Sequence, residues 1–266
     1  MSEPHASGFT DLCVVAAVDV EFKIAAGLLS GKSFSEETGM KICRGLFGAR
    51  RVTILQSGMG APAFTERLAE HLENNRYDAL IITGLAGALD PQLRVGDAVL
   101  YNLCYDARAV DFPIQEPPIS EDFREEVAVA AGDELLSGFL YGALTRAGIS
   151  FIKAPGITAS RVVAEAKEKL ALGARYGGAA VDMETYQALG ACARLDLPAA
   201  ALRVISDEAG RDIPDFNRVY NADGRINGWR MASAMMARPS AALRLMLTIR
   251  TALRSLRMNL QAAMGA

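Results

Sequence analysis

The strongest constraint on the fold is residues 181–209, which read VDMETYQALGACARLDLPAAALRVISDEA. A short apolar strand pattern ends on two carboxylates, Asp182 and Glu184. A helical pattern follows, and then a second apolar run that ends on Ser206 and Asp207. We interpret this strand–helix–strand pattern as a parallel crossover unit. Ligands of parallel sheets bind beyond the carboxyl ends of the strands, so both acidic ends should lie at one rim.

Strand and helix patterns alternate along the rest of the chain. We therefore predict an α/β fold with three layers, in which helices flank a central, twisted, mostly parallel (mixed) sheet. Two segments, residues 105–118 and 158–161, should be loops. Further strands are expected at residues 12–18, 41–46, 52–56, 79–83, 97–101 and 150–154, and helices at residues 20–29, 63–72, 164–172 and after Ser120.

Composition restricts the chemistry. Half of the 266 residues are hydrophobic (51%), enough for a sizeable core. The four cysteines are spread without metal-ligand spacing, which favours reduced core thiols and a cytoplasmic location. Only two histidines are present, so a zinc site or a histidine-based triad is disfavoured. No apolar run approaches the roughly 18 residues of a spanning helix.

The charge distribution separates the chain into two parts. Residues 228–266 hold six arginines and no acid, although the net charge is −3. We assign residues 1–227 to a catalytic domain and residues 228–266 to a basic amphipathic helical tail, part of or packed on the same domain. Residues 240–266 would either close the fold or lie in a membrane interface as a peripheral contact. The predicted apolar stripe contains Ala242, Met246, Ile249, Leu253, Leu256, Leu260 and Ala263.

Acids and glycine turns follow several predicted strands. Each has a simple structural explanation when taken alone: Glu21 is an acid in a first helical turn, and Asp207 can cap a turn. Short glycine patterns, such as residues 57–60 and 84–87, are weak signals. Their position at strand ends of one sheet is what favours a ligand site.

Six motifs carry a family resemblance over residues 12–215. In chain order they are Ala17-Val18-Asp19-Val20-Glu21, Ser57-Gly58-Met59-Gly60, Thr83-Gly84-Leu85-Ala86-Gly87, Val95-Gly96-Asp97, Val181-Asp182-Met183-Glu184 and Arg203-Val204-Ile205-Ser206-Asp207. In this order they resemble the nucleoside phosphorylase/nucleosidase superfamily, which includes purine nucleoside phosphorylases and methylthioadenosine/S-adenosylhomocysteine nucleosidases. Ala222-Asp223-Gly224 and the basic tail resemble the hopanoid-associated phosphorylase group, thought to remove adenine from adenosylhopane.

The resemblance implies cleavage of the N-glycosidic bond of a purine nucleoside, a 5′-modified adenosine, with release of adenine. It implies that Asp207 protonates the leaving base and that Ser206 orients this acid. Glu184 would hold the ribose 2′-hydroxyl and, with its charge, favour the ribosyl cation. Glu21 would activate water beside Arg203.

Further positions are implied as binding residues. Substrate contacts would come from Met183, Gly84, Leu85, Ala86, Phe151 and Ile152, with residues 158–162 as further candidates for the base pocket. The nucleophile or phosphate loop would come from Ser57, Gly58, Met59 and Gly60. No cofactor or metal is implied; phosphate is a candidate co-substrate. The implied partners are a small-molecule nucleoside and further copies of the chain in a homo-oligomer, without nucleic acid.

The nucleophile stays open between water and phosphate. Phosphorylases of this superfamily carry arginines and a serine where this chain has Glu21, Ile82 and Leu85, and a phosphate dianion without arginine would lose charge-assisted hydrogen bonds. Residues 59–62, however, are more similar to the phosphorylase form of their loop. Two alternatives remain: a methylthioadenosine/S-adenosylhomocysteine nucleosidase, and a non-catalytic nucleoside-binding module, which would not need all of Glu21, Glu184, Arg203 and Asp207.

Overall fold

The computed structural model describes residues 9–58, 64–110, 128–217, 219 and 227–265. Most of its strands belong to one mixed sheet. In chain order the strands are β1 (Asp11–Ala16), β2 (Ser30–Glu37), β3 (Met40–Phe47), β4 (Arg50–Gln56), β5 (Ala79–Ala88), β6 (Ala98–Ala107), β7 (Val129–Ala131), β8 (Phe151–Ala159), β9 (Ala180–Asp182) and β10 (Ala199–Asp207). The helices are α1 (Asp19–Ala26), α2 (Phe64–Asn74), α3 (Glu134–Arg146), α4 (Ala166–Tyr176), α5 (Thr185–Ala193), α6 (Gly228–Ala237) and α7 (Pro239–Gly265).

The sheet order is β10-β6-β8-β9-β5-β1-β4-β3-β2, with β7 on β6. A further pairing of β10 with β5 closes β5, β10, β6, β8 and β9 into a ring. Parallel and antiparallel pairings are equally frequent among the described strands. The predicted α/β class, with a mixed central sheet between helices, is confirmed.

Two apolar clusters cover the two faces of the sheet. Successive side chains of a strand point to opposite faces, and in β1 Leu12 and Val14 enter one cluster while Cys13 and Val15 enter the other. The first cluster contains side chains from α1, α3 and α7, and the second contains side chains from α2 and α5. All four cysteines are buried and unpaired. These helices therefore form the outer layers of the three-layer arrangement.

The interpretation of residues 181–209 as a parallel crossover unit is wrong. β9 is antiparallel to β5, whereas β10 is parallel to β5, so the two strands run in opposite directions. β9 pairs with β5 at only two positions, too few for a local pattern to reveal its direction. The acidic ends still meet, because Gly87 of β5 is the partner of both Val181 and Asp207.

Other differences concern where strands end. β5 continues through the glycine-rich residues 84–87, and β6 and β8 continue into segments predicted as loops. Neighbouring strands supply hydrogen-bond partners there, which outweighs the local preference for a turn. β2 was not predicted, because its sequence SGKSFSEE is largely polar and exposed. The helix expected after Ser120 and the segment Ala222-Asp223-Gly224 lie outside the described residues.

The tail forms α6 and α7. The second half of α7 packs on the domain through Ala252, Leu256 and Leu260, which are buried, and Arg50 Nη1 donates to the Met264 carbonyl at 2.6 Å. Its first half differs from the predicted stripe, since Met246 is 60% exposed. Among the described helices, none has the length and apolarity needed to cross a membrane.

Candidate active site

A cavity of about 240 Å³ opens where β1, β5, β9 and β10 end. Helix α7 contributes part of its wall through Leu245 and Ile249. Of the residues predicted for the site, those lining this cavity are Glu21, Leu85, Ala86, Met183, Ser206 and Asp207. The strand ends thus bring together residues that are up to 186 positions apart in the chain.

Glu21 lies in the first turn of α1 and is 3% exposed. Its Oε1 accepts a hydrogen bond from the Leu85 backbone N–H at 2.8 Å, and its Oε2 accepts from those of Ala17 at 3.0 Å and Val18 at 3.2 Å. Burial raises the pKa of Glu21 above its usual value, although these hydrogen bonds and the charge of Arg203 oppose the shift. A carboxylate with a raised pKa is a better general base near neutral pH.

Arg203 of β10 organises the acids beneath the cavity. Its side chain is 1% exposed, with Nε 3.1 Å from Asp182 Oδ2 and Nη2 3.5 Å from Glu184 Oε2. Nη1 donates to the Thr83 carbonyl at 3.1 Å. Burial alone lowers the pKa of Arg203, but the carboxylates of Asp182 and Glu184 outweigh it and raise the pKa above its usual range.

The charges of this buried group do not balance. Arg203 is one cation among three carboxylates, those of Glu21, Asp182 and Glu184. The excess of negative charge next to the cavity would stabilise a cation that forms there. Glu184 itself is 4% exposed, directed toward Arg203, and does not line the cavity as its neighbour Met183 does.

Gly84 leaves room for both Glu21 and Arg203. Its φ is +139°, and a Cβ there would lie 2.8 Å from both Arg203 Nη1 and Glu21 Oε1. The glycine therefore gives space to these two side chains rather than to a ligand, and it does not line the cavity.

Asp207 ends β10 and is 9% exposed. Its Oδ1 lies 2.6 Å from Ser206 Oγ, and its Oδ2 accepts a hydrogen bond from Lys169 Nζ. Lys169, on α4, is fully buried. The sequence analysis missed this residue because a lysine in a short helix is ordinarily exposed to solvent.

Val162 presents both of its backbone polar groups to the same region. Its N–H donates to Asn217 Oδ1 at 2.7 Å, and its carbonyl accepts from Asn217 Nδ2 at 3.0 Å. Val162 lines the cavity and therefore offers an adjacent donor and acceptor that a carboxamide already satisfies. Val162 belongs to residues 158–162, which were expected in the base pocket, whereas Asn217 was not predicted.

Several predicted residues lie away from the cavity. Phe151 and Ile152 begin β8, about 20 Å along the strand from Thr158 at the cavity end. Phe151 stacks edge-on against Tyr141 instead. Ser57 and Gly58 follow β4 and bond to the end of β1, without lining the cavity. Met59 and Gly60 lie outside the described residues.

Apolar side chains form the outer part of the site. Ile213, Phe216, Leu245 and Ile249 line the cavity. A second cavity of about 360 Å³ shares Ser206, Asp207, Ile213 and Leu245 with the first. Within the described residues, no group of three or more histidines, cysteines or acids could hold a metal ion.

The sequence is similar to a known protein family and to individual members of known function. The model of the family described as the phosphorylase superfamily matches residues 11–238. The 5′-methylthioadenosine/S-adenosylhomocysteine nucleosidase of Pseudoalteromonas translucida is 25% identical over 237 residues, covering 86% of this chain and 97% of that protein.

Two solved structures share the fold. The nucleosidase of the same name from Neisseria meningitidis, in complex with methylthio-immucillin-A, has a TM-score of 0.71 at 19% identity, covering 97% of this chain and 100% of that chain. Futalosine hydrolase of Helicobacter pylori has a TM-score of 0.66 at 18% identity, covering 93% and 96%.

Proposed function

The chain belongs to the phosphorylase superfamily, and on that premise we propose that its cleft hydrolyses the N-glycosidic bond of a 5′-modified adenosine and releases adenine. The observation that carries this proposal is the cavity shared by Glu21 and Asp207. Glu21 can accept a proton from the nucleophile, and Asp207 can pass a proton to the leaving base. The curated relative from Pseudoalteromonas translucida is named as a nucleosidase for related nucleosides.

In the proposed reaction, Asp207 acts on the leaving base and Glu21 acts on the attacking water. As the bond between ribose C1′ and the base nitrogen breaks, its electron pair leaves with the base, and Asp207 passes a proton to the base. The ribosyl cation is stabilised by the net negative charge around Arg203. Water then adds to C1′ and gives its proton to Glu21. No cofactor is needed, because every step is a proton transfer or an addition of water.

The absence of cations along the described cavity wall favours water over phosphate. No lysine or arginine lines this cavity in the part of the chain that the structure describes. Glu21, Asp182 and Asp207 line this cavity, and Arg203 is paired with Asp182 and Glu184, so none of the described residues that line it offers a cation to a phosphate dianion. Neutral water requires no such partner.

The cavity walls also support an adenine base and an apolar 5′-group. The Watson–Crick edge of adenine has an acceptor next to a donor, as the Asn217 carboxamide has, so adenine would bond to Val162 in the same way by displacing the Asn217 side chain. Ile213, Phe216 and Leu245 would contact a methylthio group or a hopane better than a free hydroxyl.

The assay is adenine release from a panel of adenosine, methylthioadenosine, S-adenosylhomocysteine and adenosylhopane, with and without phosphate. We expect adenine and a reducing sugar at equal rates in both buffers. Ribose-1-phosphate formed only with phosphate would contradict hydrolysis. Binding of these nucleosides without adenine release would instead indicate a non-catalytic binding module.

We also propose that α6 and the first half of α7 contact a membrane surface. Large apolar side chains are exposed there: Trp229 is 89%, Met236 80% and Leu247 71% exposed. Arg230, Arg244 and Arg250 lie in the same segments, which contain no acid, and this suits anionic lipid headgroups. Because Leu245 and Ile249 on the same helix line the cleft, this contact would place the cleft beside the lipid.

The family resemblance further supports a homo-oligomer. Light scattering would measure the mass in solution, and we expect a multiple of 28.4 kDa. A monomeric mass at assay concentrations would contradict this proposal.

A further inference from the structure

Lys169 is a fully buried ammonium group whose N–H donors are all used. Nζ donates to Asp207 Oδ2, to the Glu208 carbonyl at 3.2 Å and to the Arg211 carbonyl at 3.0 Å. A charge is costly to bury unless it is paired and hydrogen-bonded. The only carboxylate among these three acceptors is Asp207, the residue that is proposed to pass a proton to the leaving base.

The other charged groups around Lys169 have different partners. On its own helix, Glu168 pairs with Arg161 at 2.9 Å. In the segment after β10, Glu208 pairs with Arg211 at 2.8 Å, and Asp212 lies 3.5 Å from Arg238. Glu165, just before α4, pairs with Lys167 at 3.0 Å. Among the described residues, Asp207 is therefore the only carboxylate paired with Lys169.

This pairing bears on how the leaving base obtains its proton. Lys169 and Asp207 form a buried ion pair, in which the ammonium carries the proton and the carboxylate accepts a hydrogen bond from it. An ionised carboxylate has no proton to donate. The proton needed by the base is then stored on the neighbouring ammonium.

We propose, on the basis of the hydrolysis proposed above, that Lys169 is the proton reservoir for the departing base. As the C1′–N bond breaks, one proton moves from Lys169 Nζ to Asp207, and Asp207 passes a proton to the base nitrogen. Lys169 is left as a neutral amine; after adenine leaves, solvent in the emptied cavity returns a proton to it through Asp207, which lines that cavity. Lys169 does not touch the substrate; it is a positioning residue that acts through Asp207.

The test compares the pH dependence of kcat for adenine release in wild type and Lys169→Met. At pH 7.5 we expect kcat of the variant to fall by about 100-fold or more, the typical contribution of a general acid. At pH 5 the loss should shrink to less than about tenfold, because Asp207 without its ammonium can take a proton directly from solvent. KM should change little.

Lys169→Arg tests whether the reaction needs a proton from residue 169 or only its positive charge. Its guanidinium would hold Asp207 but does not release a proton, so the loss at pH 7.5 should persist. If Lys169→Met fails to fold by circular dichroism, Lys169→Gln replaces it, since a carboxamide can donate to the same acceptors. The matched control is Lys167→Met, an exposed lysine on the same helix, which should keep the wild-type profile.

Two outcomes would overturn the role of Lys169 while leaving the hydrolysis intact: an equal loss at every pH, or a full wild-type rate in Lys169→Arg. A wild-type protein that releases no adenine from the nucleoside panel would contradict the proposed hydrolysis, and this inference with it.

Discussion

Arg203 connects the acids of the cleft, because three carboxylates depend on one buried guanidinium. Asp182 and Glu184 are paired with it directly, and the charge of Glu21 also acts on it. Removing one partner of a buried ion pair is usually far more costly than removing an exposed charge. The cluster therefore ties the stability of the molecule to the group that is proposed to perform the chemistry.

Asp207→Asn should keep the fold and reduce turnover by about 10²–10⁴-fold, since the amide occupies the same space but cannot relay a proton. Steady-state adenine release and a thermal unfolding curve would measure both effects. The matched control is Asp196→Asn, at an exposed position in the turn after α5. A near-normal rate in Asp207→Asn would show that Asp207 does not pass a proton to the leaving base.

Glu21→Gln should lose hydrolysis and gain stability relative to wild type as pH rises. The folded-state pKa of Glu21 is raised, mainly by burial, so the folded protein takes up a proton more readily than the unfolded chain. This favourable contribution is complete below about pH 4.5 and is lost as pH rises through the raised pKa. A neutral glutamine avoids that loss.

Urea unfolding of wild type and Glu21→Gln at pH 4, 5.5 and 7 would test this sign. Between pH 4 and 7, we expect the unfolding free energy of Glu21→Gln to rise relative to that of wild type. Glu36→Gln, at an exposed site on β2, serves as control. A shift toward wild type would mean that attraction to Arg203 outweighs burial.

At the scale of elements, β5 is the strand on which the site depends. Gly84 leaves room for Glu21 and Arg203, Leu85 donates to Glu21, and Gly87 is the shared partner of β9 and β10. A Cβ at Gly87 would lie 3.2 Å from Asp207 Oδ2. The two glycines therefore allow both acidic ends of the cleft to approach one strand.

Gly84→Ala should destabilise the protein by about 1–3 kcal/mol, the cost of a strained backbone conformation, and reduce activity by at least tenfold. The added methyl group would meet Arg203 Nη1 and Glu21 Oε1. Urea unfolding and adenine release would measure the two effects. Gly138→Ala is the control, because a Cβ there meets nothing within 4 Å. Unchanged activity in Gly84→Ala would show that activity does not depend on the space that Gly84 leaves for Glu21 and Arg203.

Local patterns explain which parts of the site the sequence could predict. Glu21, Ser206 and Asp207 follow apolar strand runs, and the period of those runs is a local property. The direction of β9 was not predictable, because three residues carry no information about their partners. Lys169 and Asn217 were missed because each acts through a partner at least 38 positions away in sequence.

At the scale of the whole molecule, helix α7 has two surfaces with different roles. Its second half is part of the core through Leu256 and Leu260, whereas Leu243 and Leu247 of the first half are 60% and 71% exposed. Deleting the tail would therefore disturb the core and the cleft together. Only point variants can test the exposed surface by itself.

Replacing Trp229 by Ser and Leu247 by Gln together should reduce co-sedimentation with anionic phosphatidylglycerol vesicles by at least fivefold. Binding by wild type should also weaken with added salt, because arginines contact the headgroups. Leu135→Gln is the control, since Leu135 is 73% exposed on α3. Equal pelleting of the double variant, or protection of Trp229 in a lipid-free dimer, would contradict membrane contact.

The position of α7 in the chain also affects biosynthesis. Leu245 and Ile249 wall the cleft, yet a ribosome makes them after Glu21, Met183 and Asp207. A nascent chain that has exposed all three of these residues still lacks one side of its cavity and part of one apolar cluster. Turnover should therefore begin only once α7 has left the exit tunnel and docked.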